Sequence, residues 1–271
     1  MRQLVLSGRG TGKLLAGFAA VIGAALLFVP AIPAGATLAQ HGDVIVSLDA
    51  SFSPRRLPRH RPAPVSISFS GALRTDDGSQ LPRLRGIELA LATGSSRLDA
   101  VGLPVCPRRR LLGATKAQAL QRCPDAVVGR GSLHAEVDIP GQAQFPVLAS
   151  VTGFNGGARG PDAAVWLLAF SASPPASFVV PVFIRHRPGP LGTSLTGVLP
   201  PSLGPWPHVS AFDITFDRTF DYRGVSHSYL RASCPVPPRF TGGLLPFVRA
   251  GYFFSASPTI TTTVVRTCHV R

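Results

Sequence analysis

Apolar and polar residues alternate with a period of two through most of this chain. Val65, Ile67 and Phe69 alternate with Ser66, Ser68 and Ser70, and Ile87, Leu89 and Leu91 repeat the theme. Leu133, Ala135, Val137 and Ile139 follow, then Phe212, Ile214 and Phe216, and a run over residues 260–265. Successive side chains of a strand point to opposite faces, so the pattern predicts strands with one face buried and one wet. Further strands are expected near 44–48, 147–154, 163–170, 178–184, 193–199, 225–230 and 247–254. Asp77-Gly78, Gly156-Gly157 and Pro188-Gly189-Pro190 supply turn chemistry between them. About a dozen short strands at this spacing predict an all-β fold, an antiparallel β-sandwich or jelly roll. One segment has helical character. Thr115 can cap Lys116-Ala117-Gln118-Ala119-Leu120-Gln121-Arg122, and Pro124 stops the helix after Cys123.

The first 36 residues depart from this pattern. Arg2, Arg9 and Lys13 precede an uncharged stretch from Leu14 to Val29, followed by Pro30, Pro33 and Ala34-Gly35-Ala36. A positive segment, an apolar core and a small-residue site in that order predict a secretory signal peptide over 1–36, cut after Ala36 or, as second choice, after Ala39. The alternative is an uncleaved N-terminal membrane anchor, since no charge occurs from Leu14 through Gln40. A span needs about 20 apolar residues, and the prolines sit where such a helix should finish. Either way the remaining chain emerges outside the membrane, secreted or at the cell surface. Residues 37–271 are expected to form a single exported β-sandwich domain, or two subdomains joined near the Pro/Gly-rich stretch 199–207.

Cys106, Cys123, Cys234 and Cys268 all lie beyond the export segment. Four cysteines in an oxidising compartment read as two disulfides, with three connectivities open. Proximity favours Cys106 with Cys123 and Cys234 with Cys268. Such loops would contribute about 3 and about 4 kcal/mol on the loop-entropy model. Zinc sites prefer cysteines two to four residues apart, a spacing not found here.

The formal charge is +14, and removing Arg2, Arg9 and Lys13 leaves +11. Lys13 and Lys116 are the only lysines beside 25 arginines, and Asn155 is the only asparagine, a skew that fits GC-rich coding. A field of this size attracts anionic polymers or lipid head groups. Nucleic acid fits the charge, but the export segment argues against it.

Enzyme motifs are wanting. Gly8-Arg9-Gly10-Thr11-Gly12-Lys13 superficially suggests a phosphate loop, yet Ser7 stands at the first required glycine and Leu14 at the required Ser/Thr. No cofactor is expected. The nucleophile elbow Gly-x-Ser-x-Gly is absent, and Gly192-Thr193-Ser194-Leu195-Thr196 fails at its last position. Glu88 and Glu136, the only glutamates, point away from the apolar set of their strands. Asp213, Asp217 and Asp221 would share one face of an unbroken strand, but hard cations need six or more oxygens and no loop motif supplies them. No catalytic residue and no metal ligand are assigned. A secreted hydrolase whose site assembles only in the fold is the alternative.

The basic tracts are the strongest functional clue. Arg55, Arg56, Arg59 and Arg61 lie in a proline-extended segment, and Arg108, Arg109 and Arg110 follow Cys106-Pro107. On one face they would form an arginine surface suited to phosphate and carboxylate oxygens. Sixteen Phe against three Tyr and two Trp favour core filling over stacking platforms. Trp206, between Pro205 and Pro207, is the exception, as an exposed contact or a plug at the end of the sandwich.

The segments Leu57-Pro58-Arg59, Gly102-Leu103-Pro104-Val105-Cys106, Cys123-Pro124-Asp125-Ala126-Val127-Val128-Gly129 and Ser233-Cys234-Pro235 resemble those of uncharacterised exported proteins from GC-rich actinobacteria, a group with no assigned activity. The resemblance implies secretion and two paired cysteine sets. The resulting expectation is a non-enzymatic, envelope-associated protein binding anionic wall polymer or a membrane surface through arginine. A structural subunit of a surface assembly, with an unspecified protein partner, is the third reading.

Overall fold

Residues 66–75 display the alternation in its simplest form, every second side chain from Ile67 to Thr75 being buried. The computed structural model describes residues 35–92, 96–157, 165–186, 188–189 and 191–271. The export segment expected over 1–36 lies outside these, except for Gly35 and Ala36. The described residues belong to one compact unit, Ile32–Arg271.

In chain order the strands are β1 (Thr37–His41), β2 (Val44–Ser53), β3 (Arg56–Leu57), β4 (Ala63–Pro64), β5 (Ser66–Thr75) and β6 (Leu84–Leu91). There follow β7 (Ser96–Leu98), β8 (Val127–Val137), β9 (Phe145–Asn155), β10 (Val165–Ala172), β11 (Pro175–His186) and β12 (Thr193–Val198). The last are β13 (Pro207–Phe216), β14 (Thr219–Tyr222), β15 (Val225–Ser228), β16 (Leu230–Ala232), β17 (Gly242–Phe254) and β18 (Ile260–Val270). The helix α1 (Lys116–Arg122) falls where the sequence places it. Its capping box is complete: Thr115 Oγ1 accepts from the Gln118 amide at 3.2 Å, and Gln118 Oε1 accepts from the Thr115 amide at 3.0 Å. Among the described residues no helix is long and apolar enough to cross a membrane.

Thirteen strands form one sheet in the order β1-β2-β5-β13-β8-β9-β10-β11-β12-β6-β17-β18-β3, antiparallel except where β3 meets β18. Adjacent strands rotate by about 20–25°, so a sheet this wide curls. Register shifts in β8, β13 and β17 sharpen the bend. The curl returns β18 to the β1–β2 end, where side chains join the two in place of a backbone ladder. Thr262 Oγ1 donates to Thr37 Oγ1 at 2.9 Å, Arg266 Nε donates to the Ala50 carbonyl at 2.8 Å, and the Arg266 guanidinium pairs with Asp49. The result is an all-β domain built on a large, part-closed sheet. Val46, Leu48, Ile67, Val248, Ala250 and Val264, each at most 1 % exposed, fill the core near this seam.

Both disulfides follow the proximity pairing, Cys106–Cys123 and Cys234–Cys268. The first secures residues 99–126 against the outer face of β9, β10 and β11, where Cys106, Leu111 and Ala119 pack on Phe154, Leu168 and Val179. Asn155 fixes the same segment: its Nδ2 donates to the carbonyls of Leu103 at 3.2 Å and Pro104 at 3.0 Å, and its own carbonyl accepts from the Cys106 amide at 2.9 Å.

Candidate functional site

Eight neighbouring strands of the sheet, from β5 through β13, β8, β9, β10, β11 and β12 to β6, turn their inner faces on a hollow of about 120 Å³. Strand register brings the inward positions together. Phe69 lies opposite Ile214, Leu89 opposite Leu195, and Leu133 opposite Ala149. The walls are almost wholly apolar, yet Ile87, Leu89, Leu133, Leu167, Phe178 and Ile214 are only half-buried. An inward side chain that remains partly exposed lacks contact atoms on one side and forfeits their dispersion energy. Native cores leave few such gaps, whereas apolar cavities of about 150 Å³ stay dry and accept a small hydrocarbon.

Where β8 ends and β13 begins, the hollow meets a wider cleft of about 400 Å³. Leu133, Phe178 and Val209 line both spaces and stand between them. Val137, Ile139 and Val147 extend the apolar wall. The rim joins Leu203 and Trp206, from the connection between β12 and β13, to Arg108 and Leu112 of the disulfide-linked segment. Trp206 is 42 % exposed and Leu112 53 % exposed. The Trp206 ring lies beside Gly204, whose φ of 75° turns the chain there. The Arg108 guanidinium sits 5.8 Å from the Trp166 ring centre, a cation–π contact that holds the charge at the rim.

Two of the residues singled out in the sequence, Arg108 and Trp206, are thus brought to one site although 98 positions apart. Arg109 is exposed. Arg110 is committed elsewhere, since it and Arg122 each donate to the other's carbonyl, at 3.3 and 2.9 Å. The other tract stays apart. β3, which carries Arg56, pairs with β18 at the far end of the sheet order, while the 108–110 turn packs on strands in its middle. The two tracts are thus carried by different parts of the sheet order. Arg55, Arg56 and Arg61 are exposed. Arg59 is occupied, donating to the carbonyls of Val236, Pro237 (2.5 Å), Pro238 (3.3 Å) and Phe240 (2.9 Å). It clamps the loop that follows Cys234.

A carboxylate–histidine pair lies elsewhere. His227 Nδ1 is 3.2 Å from Asp99 Oδ2, and Arg231 lies 3.7 Å from the same oxygen. Phe220 stacks on the imidazole at 5.5 Å and Tyr222 meets it edge-on at 6.1 Å. The neighbouring Ser228 hydroxyl donates to the Leu230 carbonyl at 2.8 Å. The ring therefore ties the β14–β15 hairpin to the segment at Asp99.

Asp213, Asp217 and Asp221 do not share a strand face, because β13 ends at Phe216 and Asp221 belongs to β14 in a separate two-stranded sheet. Among the described residues no group of three or more His, Cys, Asp or Glu side chains is placed to hold a metal ion. The hollow itself went unseen in the sequence, since alternation tells which side chains face inward but not whether they meet.

No protein-family model matches this chain, and neither a curated protein nor a solved structure does so.

Proposed function

We propose that this is an exported, non-enzymatic binding protein of the cell envelope that holds an apolar ligand inside its curled sheet. One observation carries the reading: inward-facing but half-buried apolar side chains surround a hollow that leads into an apolar cleft. Ligand sites are mostly apolar concavities with a few placed polar groups, and Arg108 at the rim is such a group. On the finer fold, the working description is a sandwich or jelly roll whose two walls part to make the hollow.

Support for the extracytoplasmic setting comes from two disulfides, which persist in oxidising compartments. A cut after Ala36 leaves β1 whole, whereas one after Ala39 divides it. The exposed arginines Arg55, Arg56, Arg61 and Arg109 then act as a diffuse attraction to an anionic surface, with the lipid side of the envelope favoured over wall polymer because polymer has no use for an apolar interior.

Titration with the neutral fluorophore N-phenyl-1-naphthylamine tests the reading. Saturable one-to-one enhancement is expected from a probe seated in the cleft with only its phenyl ring entering the hollow, and weakened in Gly197→Val while the circular dichroism spectrum is retained. Gly197 lines the hollow and an added Cβ there meets nothing closer than 3.9 Å, so a side chain at this position starts from an uncrowded Cβ. No enhancement with the unaltered protein, or equal enhancement in the variant, would overturn the assignment.

A further inference from the structure

We infer that the ligand is a single-chain amphiphile with an anionic oxygen head, its chain lying along the cleft with its end in the hollow and its head at Arg108. The inference rests on the apolar-ligand reading above and names the ligand class for the same site. The chain requirement comes from shape. Along β13 the lining runs from Pro207 at the cleft to Phe216 in the hollow, ten residues or roughly 30 Å of strand. One acyl chain spans half of a bilayer's hydrocarbon core, ~15 Å, which is shorter than this lined stretch of strand. The inner hollow, at about 120 Å³, is smaller than the ~150 Å³ cavity that takes a benzene. It therefore admits one chain end and not two side by side.

The head requirement comes from charge. None of the ion pairs among the described residues includes Arg108. Asp138, which follows the cleft residue Val137, accepts instead from Gln80 Nε2 at 2.6 Å. The Arg108 guanidinium is thus an unneutralised fork standing over Trp166 at the edge of an apolar channel. A fork of this kind donates two parallel hydrogen bonds to the oxygens of a carboxylate or a phosphate. Trp206 on the same rim suits the boundary between chain and head, where an aromatic residue has one side apolar and the other wet.

The experiment is displacement of N-phenyl-1-naphthylamine from the protein, purified with both disulfides formed, by palmitate, 1-palmitoyl lysophosphatidate and the uncharged hexadecanol. At least one anionic ligand is expected to displace the probe at about one-tenth the concentration needed for hexadecanol, the equivalent of 1.4 kcal/mol. Palmitate acting alone would identify a free fatty acid as the source, lysophosphatidate alone a phospholipid, and both a shared oxyanion site. Arg108→Gln is expected to abolish the anionic preference, read within that variant as the ratio of the hexadecanol to the anion concentration needed for displacement. Arg108→Lys should retain part of it, and Arg109→Gln all of it. Hexadecanol matching both anions, or an undiminished preference in Arg108→Gln, would overturn the inference and leave the apolar-ligand reading standing. Failure of the probe to bind at all would remove both.

Discussion

The hydroxyl of Tyr252 donates to the main-chain carbonyl of Ser47 at 2.9 Å, joining β17 to β2 across 205 positions of sequence. Both residues are buried, and β2 and β17 are not neighbours in the sheet order. The bond therefore holds two walls of the curl together through its interior. Tyr252→Phe keeps the ring and removes the donor. A buried hydrogen bond of this type is worth about 1–2 kcal/mol once the abandoned acceptor is counted. Urea unfolding should show that loss as a lower midpoint with an unchanged slope. An unaltered midpoint would mean the interior contact does not hold the walls.

Burial also raises the pKa of Tyr252, and of Tyr229, well above that of a free phenol. An unfolded tyrosine releases its proton near pH 10, so the folded state holds the proton to higher pH than the unfolded state. The stability linked to these groups is complete below about pH 10 and is lost as pH rises from there towards the folded-state values. Each tyrosine costs about 1.4 kcal/mol per pH unit in that window, or about 3 kcal/mol for the pair. Unfolding midpoints should therefore fall steeply between pH 10 and 11, and replacing either tyrosine with Phe should halve the slope. Native-state absorbance showing every tyrosine titrating near pH 10 would contradict the account.

Close approach of two strands sets a different sensitivity at Gly131. A Cβ there would stand 1.8 Å from the carbonyl oxygen of Asp213 and 2.8 Å from Ile214 Cα. These are main-chain atoms of the facing strand β13, which cannot turn aside as a side chain can. Gly131→Ala should force β8 from β13 locally and cost about 3 kcal/mol. Gly153→Ala is the control, because its Cβ would meet Leu167 Cδ2 at 3.4 Å, an ordinary contact. Thermal melts should separate the two variants clearly, and equal behaviour would mean the strands relax more readily than this packing implies.

The strands that were legible in sequence are the long ones with a buried face. Ile67, Phe69 and their partners Phe216 and Ile214 had to alternate because each strand carries one core face. β1, β3 and β4 were missed, since two to five residues are too few to display a period. The stretch 225–230 looked continuous but divides at Tyr229 between β15 and β16, which belong to different sheets. Helix α1 was readable because Thr115, Gln118 and Pro124 encode its limits locally. The site was readable only in part. Arg108 and Trp206 were singled out for charge and loop context, but their convergence depends on a disulfide-linked segment packing against β9, β10 and β11.

Arg59 illustrates the converse, a charge that looks available in sequence and is not. Its four carbonyl acceptors begin at Val236, 177 positions away, and the tract around it gives no hint of them. The same loop is held by the Cys234 amide, which donates to the Pro58 carbonyl at 2.9 Å, and by the Cys234–Cys268 bond. Removing the guanidinium takes away the shared donor of a loop that already contains Pro235, Pro237 and Pro238, which have no amides of their own to rearrange. Hydrogen bonds from a charged donor contribute about 1.5–3 kcal/mol each when fully formed, less when shared and partly exposed. Arg59→Gln should therefore cost about 2 kcal/mol in total. Arg61→Gln, two residues on and exposed, should stay within about 0.5 kcal/mol of the parent. Chemical denaturation of the two variants side by side decides the matter, because a surface role common to the whole tract predicts equal and negligible changes, whereas a clamp predicts a loss at Arg59 alone.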